Sequence, residues 1–118
     1  MLFRSTPVSR RKFDAQGNAL ATHIAYSALV KEVAQSEGVL FYDLDSASQR
    51  LYQQFGAENS KLLFLQLKAG EHPNYPEGKE DNTHFNELGA RLIAQMILKE
   101  LREMCPDLNQ RVVVSSQK

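Results

Sequence analysis

At 118 residues, with 42% hydrophobic and 24% charged residues, the chain has the length and composition of one globular domain rather than two. Fourteen basic and fourteen acidic side chains cancel, and apart from Arg10, Arg11 and Lys12 they are scattered, which removes the electrostatic argument for nucleic acid or an anionic membrane surface as partner. The single cysteine, Cys105, excludes an intrachain disulfide and a thiolate-rich metal centre.

The first stretch, MLFRSTPV, reads as a strand over residues 2 to 7 that Pro7 ends. It lacks the apolar region of a secretory signal, so the expectation is a chain with no export address and an open compartment. No later run approaches the ~20 apolar residues that cross a bilayer. A polar loop follows, with Gly17 and Asn18 suited to a tight turn.

Thr22 is placed to cap a helix in which Tyr26, Leu29, Val30 and Val33 recur at helical spacing until Gly38. VLFYDL, residues 39 to 44, is an apolar run of buried-strand type. Strand, helix and strand in this order predict that residues 2 to 7 and 39 to 44 are adjacent and parallel, joined by a right-handed crossover. Asp45 or Ser46 then caps a second helix, with Ala47, Leu51 and Phe55 four apart and Gly56 as its stop.

AENSKLLFLQL fits either a helical turn or an extended segment. KAGEHPNYPEGKEDNTH, residues 68 to 84, reads as one long loop, the kind of connection that in a small domain usually serves a function. A strongly amphipathic helix spans residues 86 to 104, with Leu88, Leu92 and Met96 in one row and Ile93, Ile97 and Leu101 widening the face, and heavy burial is expected. Pro106 ends it. The expected division is a domain over 1–104 and a tail over 105–118, either frayed or carrying a short strand at RVVV. Two parallel strands and three helices fall short of a doubly wound sheet, which points to further strands on the N-terminal side.

The chemistry concentrates at Asp81 and His84, three residues apart. A histidine can exchange a proton near neutral pH, and a carboxylate beside it fixes its tautomer and stabilises the imidazolium. The same residues also suit helix-start capping, and a lone D-x-x-H string does not separate the two readings. Arg10 and Arg11 follow the first strand, where ligands of open α/β folds collect, and so are candidates to face a sugar or uronate or simply to form a solvated pair. His72, Asn74 and Tyr75 are candidates to line a cleft from the Pro-rich loop or to pack within it, and His23 to cap or pack. A metal site from His23, His72, Asp81 and His84 lacks ligand spacing.

TPVSRRKFD, VLFYDL and NYPEGKEDNTHFNELGA, in this order and spacing, resemble the C-terminal half of the rhamnogalacturonan acetylesterase family of SGNH, or GDSL-like, hydrolases. The resemblance covers the chain to about residue 104, and PNYPEGKEDNTHF is its most specific part. It implies the C-terminal part of a flavodoxin-like three-layer α/β/α fold and a Ser-His-Asp mechanism in which Asp81 and His84 are the triad acid and base. The implied substrate is an acetylated pectic polysaccharide, with no metal or organic cofactor. The family's Gly-Asp-Ser-type nucleophile block and Gly-x-Asn-Asp oxyanion block do not occur in this sequence. The implied partners are therefore the polysaccharide and either the missing N-terminal half or a second copy. A noncatalytic binding module derived from such a hydrolase is the alternative.

Overall fold

The computed structural model describes residues 2–113. Strand β1 (Phe3–Ser5) pairs in parallel with β2 (Leu40–Tyr42), Phe3 opposite Leu40 and Ser5 opposite Tyr42, and helix α1 (Ile24–Ser36) crosses between them. The predicted parallel pair is present, in shorter form. Pro7 stops β1. At the end of β2, Asp43 caps α2 (Leu44–Asn59) by accepting from the Ser46 amide, so the helix takes the residues expected to finish the strand.

Two expected caps are corrected for the same reason, that another partner takes the side chain. Thr22 does not cap α1; its hydroxyl accepts from the Arg10 amide at 2.9 Å and lies 2.9 Å from His23 Nδ1, and His23 takes the cap position without a side-chain cap bond. Asp45 lies buried inside α2, where its carboxylate accepts from Ser27 Oγ at 2.7 Å and from Gln49. Gly56, at φ 77°, breaks α2, and the helix resumes only as far as Asn59. The left-handed backbone explains both the expected stop and its incompleteness.

After a 3-10 turn over Ser60–Leu63 comes β3 (Phe64–Leu67), which pairs antiparallel with β4 (Lys79–Phe85). The long loop read over 68 to 84 is thereby shortened to 68–78. The second half of that stretch was missed because KEDNTHF has no alternating apolar side; its strand geometry comes from β3. α3 (Glu87–Met104) follows, capped by Asn86, whose Oδ1 accepts from the Gly89 amide at 3.0 Å. Of the residues expected to form a tail, Cys105 is fully buried and Pro106–Asn109 form α4, tied to α3 by Arg102 Nε donating to Asn109 Oδ1. Residues 111–113 form no strand, and the rest of RVVV lies outside the described residues.

The result is an α/β chain with a short parallel sheet and a separate antiparallel pair. The core is small: Tyr52, Leu63 and Phe64, with Phe13, Leu51, Phe55, Phe85 and Leu92 packed around them. Tyr52 meets Phe64 edge-on at 5.3 Å, and Phe64 lies 4.9 Å from Phe85. Heavy burial of α3 is not observed, since only Gly89 and Ile93 are buried along it. On α1, Tyr26, Leu29 and Val33 remain 68%, 59% and 52% exposed. Two two-stranded sheets offer too little surface to cover three amphipathic helices. None of the helices among the described residues is long and apolar enough to cross a membrane.

Candidate active site

The register of the hairpin is interrupted where the chemistry lies. Phe64 faces Phe85, yet Gln66 faces Glu80, so one residue of β3 is opposed by four of β4, residues 81–84. A bulge of this kind bends the strand and re-aims its side chains. Asp81 and His84 are its two ends.

Within the bulge Asp81 folds the chain back on itself. Its Oδ1 accepts from the Thr83 amide at 2.7 Å and the His84 amide at 2.9 Å, while Oδ2 lies 2.8 Å from His84 Nδ1. An ionised carboxylate only accepts, so Nδ1 carries the proton and Nε2 is left as the basic nitrogen of the neutral ring. The Asp81 side chain is 13% exposed and that of His84 76%. The pair therefore has an anchored acid and an open base. Capping does not account for it, because Asn86 performs that task at α3.

These three bonds hold the Asp81 carboxyl well below its ordinary value, at about 2, the amide donors first and the His84 ring after them. A depressed carboxylate contributes stability that is fully present above its unfolded pKa and is lost as pH falls through its folded one. Wild type should exceed Asp81→Asn in stability above about pH 4, and the gap should close between about pH 4 and about pH 2. Urea denaturation of both proteins across that window is the check; a gap independent of pH would mean that Asp81 is not held by these bonds.

Of the other candidates, Arg10 is brought to the pair: its Nε donates to Thr83 Oγ1 at 3.0 Å, one residue from His84. Arg11 lines the neighbouring cleft, but its guanidinium is bonded mainly to the protein itself. Its guanidinium donates to Ser60 Oγ at 2.9 Å, to Asn82 Oδ1 at 2.9 Å and to the Ala57 carbonyl, which leaves it engaged within the protein.

His72, Asn74 and Tyr75 build the hairpin tip instead. The Asn74 amide donates to His72 Nδ1 at 3.1 Å, the Tyr75 amide to the His72 carbonyl at 2.9 Å, and the two rings lie 5.8 Å apart. Among the described residues these three make no hydrogen bond to Asp81 or His84, because the tip folds on itself. His23 contacts Thr22 and lies near Tyr26.

A cleft of about 470 Å³ adjoins the bulge, lined by Arg10, Arg11, Lys12, Ala21, Thr22 and Asn82 with no carboxylate among them. A chain of zero net charge thus collects three cations beside its Asp–His pair. Sequence reading missed Gln66 and Asn82, which hold the bulge: Gln66 Nε2 donates to the Asp81 carbonyl at 2.8 Å and to Asn82 Oδ1 at 3.2 Å. The available signal was a lone amide inside the apolar run LLFLQL.

A histidine oriented by a carboxylate, with its other ring nitrogen on the exposed side, can take up and return a proton. Over 108 residues the chain is 39% identical to rhamnogalacturonan acetylesterase RhgT of Bacillus subtilis (strain 168), a match that covers 92% of this chain and 47% of that protein. It is 27% identical over 108 residues to the probable rhamnogalacturonan acetylesterase YesY of the same organism, covering 92% and 45%. The chain is therefore related to the rhamnogalacturonan acetylesterases and spans about half the length of the curated relatives it matches. No family model matches it, and no solved structure does so significantly.

Proposed function

We propose that the chain supplies the acid–base part of a carbohydrate esterase that removes O-acetyl groups from an acetylated pectic polysaccharide such as rhamnogalacturonan. The observation that carries this is the Asp81–His84 contact on an exposed bulge, in a chain related to enzymes named for that reaction. In the proposed reaction a serine hydroxyl attacks the acetyl carbonyl and His84 Nε2 takes its proton. The tetrahedral intermediate collapses, His84 returns the proton to the leaving sugar oxygen, and a second cycle with water releases acetate. Asp81 keeps the ring in the reactive tautomer and stabilises the imidazolium. Arg10, with Lys12, gives the adjoining cleft a positive charge suited to an acidic sugar.

In this reading the serine comes from a nucleophile block that this sequence does not contain. Among the described residues His84 makes one side-chain hydrogen bond, to Asp81. Ser9, Ser48 and Ser60 are buried, and Ser27, Ser36 and Ser46 bond to Asp45, Val33 and Asp43.

The test is a chimera in which this chain replaces the matching stretch of the Bacillus subtilis enzyme. Acetate should be released from acetylated rhamnogalacturonan, and His84→Ala should lower kcat/KM by ~10³-fold or more. A folded chimera that binds the polymer yet releases no acetate would favour the noncatalytic binding module.

A further inference from the structure

Residues 81–84 have left the β3–β4 ladder, so something other than strand pairing must hold them. Their long-range hydrogen bonds come from three side chains and one amide. Arg10 takes Thr83, Gln66 takes the Asp81 carbonyl, and Arg11 meets Asn82 twice, through its amide to the Asn82 carbonyl at 2.9 Å and through Nη1 to Asn82 Oδ1 at 2.9 Å. Arg11 is 71 residues away in sequence.

The other end of the same guanidinium grips the last turn of α2, past its break at Gly56, and the first residue of the 3-10 turn that follows. Nε donates to Ser60 Oγ at 2.9 Å, Nη2 donates to the Ala57 carbonyl, and the carbon centre lies 5.6 Å from the Phe13 ring centroid. Only a planar fork with donors at fixed angles reaches three such acceptors at once; an ammonium group would satisfy one or two.

We infer that Arg11 is a positioning residue, which clamps Asn82 in the middle of the bulge to the broken end of α2 and thereby sets the contact between Asp81 and His84. The catalytic meaning of the clamp rests on the acid–base role proposed for that pair. The clamp itself does not, and it can be read without turnover.

The readout is the tautomer of His84, from ring ¹⁵N shifts of the whole 118-residue chain above the titration of the ring. With Asp81 in place the proton sits on Nδ1. In Arg11→Met the guanidinium ties to Asn82 Oδ1 and to α2 are lost while the backbone bond from residue 11 to the Asn82 carbonyl remains, and the loosened bulge should lower the ratio of Nδ1–H to Nε2–H by ~5-fold or more, the loss expected when a hydrogen bond to a charged group is misaligned. Arg11→Lys should fall with it, because charge alone does not rebuild the fork.

Asn82→Ala covers the case in which Arg11→Met fails to fold. It removes an exposed side chain with one of Arg11's two ties to the bulge and the weaker bond from Gln66, and should shift the ratio in the same direction. Leu92→Val, a destabilising change in the core, should leave the tautomer unchanged. An unchanged ratio in folded Arg11→Lys and Asn82→Ala would overturn the inference, as would an equal shift in Leu92→Val, which would reduce Arg11 to general stability. A shifted ratio alongside an inactive chimera would sink the esterase reading and leave the clamp standing.

Discussion

The 118-residue chain alone is expected to release acetate from a small acetyl ester no faster than its His84→Ala variant. The Asp81–His84 pair can move a proton, but acyl transfer also needs a positioned nucleophile and donors aimed at the developing oxyanion. Among the described residues no serine hydroxyl is hydrogen-bonded to His84, and those at 9, 27, 36, 46, 48 and 60 are buried or bonded elsewhere. Removal of a single oxyanion donor costs ~10²-fold or more, and enzymes as a class exceed the uncatalysed rate by ~10⁶-fold or more. On the proposed reading, in which nucleophile and donors are not supplied by this sequence, nearly all of that acceleration should be absent. Initial rates of both purified proteins on a chromogenic acetyl ester decide the matter. Robust turnover that disappears with His84 would mean that a hydroxyl of this chain, or a water activated by Nε2, completes the site.

Gly89→Ala should be the most damaging small substitution, lowering stability by ~3 kcal/mol or more. A methyl group at Gly89 would lie 2.0 Å from the Leu63 carbonyl oxygen and 2.8 Å from Phe85 Cδ1. The oxygen is main chain and cannot rotate away. It is also the acceptor of the Asn86 amide at 3.1 Å, while Asn86 Nδ2 donates to the carbonyls of Leu62 and Phe64. Making room for the methyl moves the start of α3 off the turn before β3 and breaks these bonds together. Alanine is the better helix former by ~1 kcal/mol, but the clash and the lost bonds outweigh that gain. The expected fall in Tm is ~10 °C or more. Thermal unfolding followed by circular dichroism is the check, and a variant as stable as wild type would show that α3 does not dock through Gly89.

The comparison of Asp81 with Thr22 shows what kind of inference survives folding. Both were read from local spacing. Asp81 needs only residues two and three positions later, so its partners arrive with the chain itself. Thr22 was assigned to the helix that follows it, but the segment at Ser9 and Arg10 reaches its hydroxyl. Local chemistry proposes a bond, and a distant donor can take it.

The same division runs through the whole molecule. Sequence was enough to determine the parallel β–α–β start, because a strand–helix–strand order restricts how the chain can connect, and the break at Gly56 and the closeness of Asp81 to His84, because these depend on residues close in the chain or on one conformational preference. Tertiary structure alone decided that KEDNTHF is a strand, that its register slips by three residues opposite Leu65, and that Arg11 reaches Asn82 across the molecule. A polar strand carries no alternation to reveal it, and a bulge exists only relative to the strand it is paired with. The acid–base pair was legible as a sequence motif; its exposure and its support are properties of the fold, set by where β3, α2 and Arg11 come to lie around it.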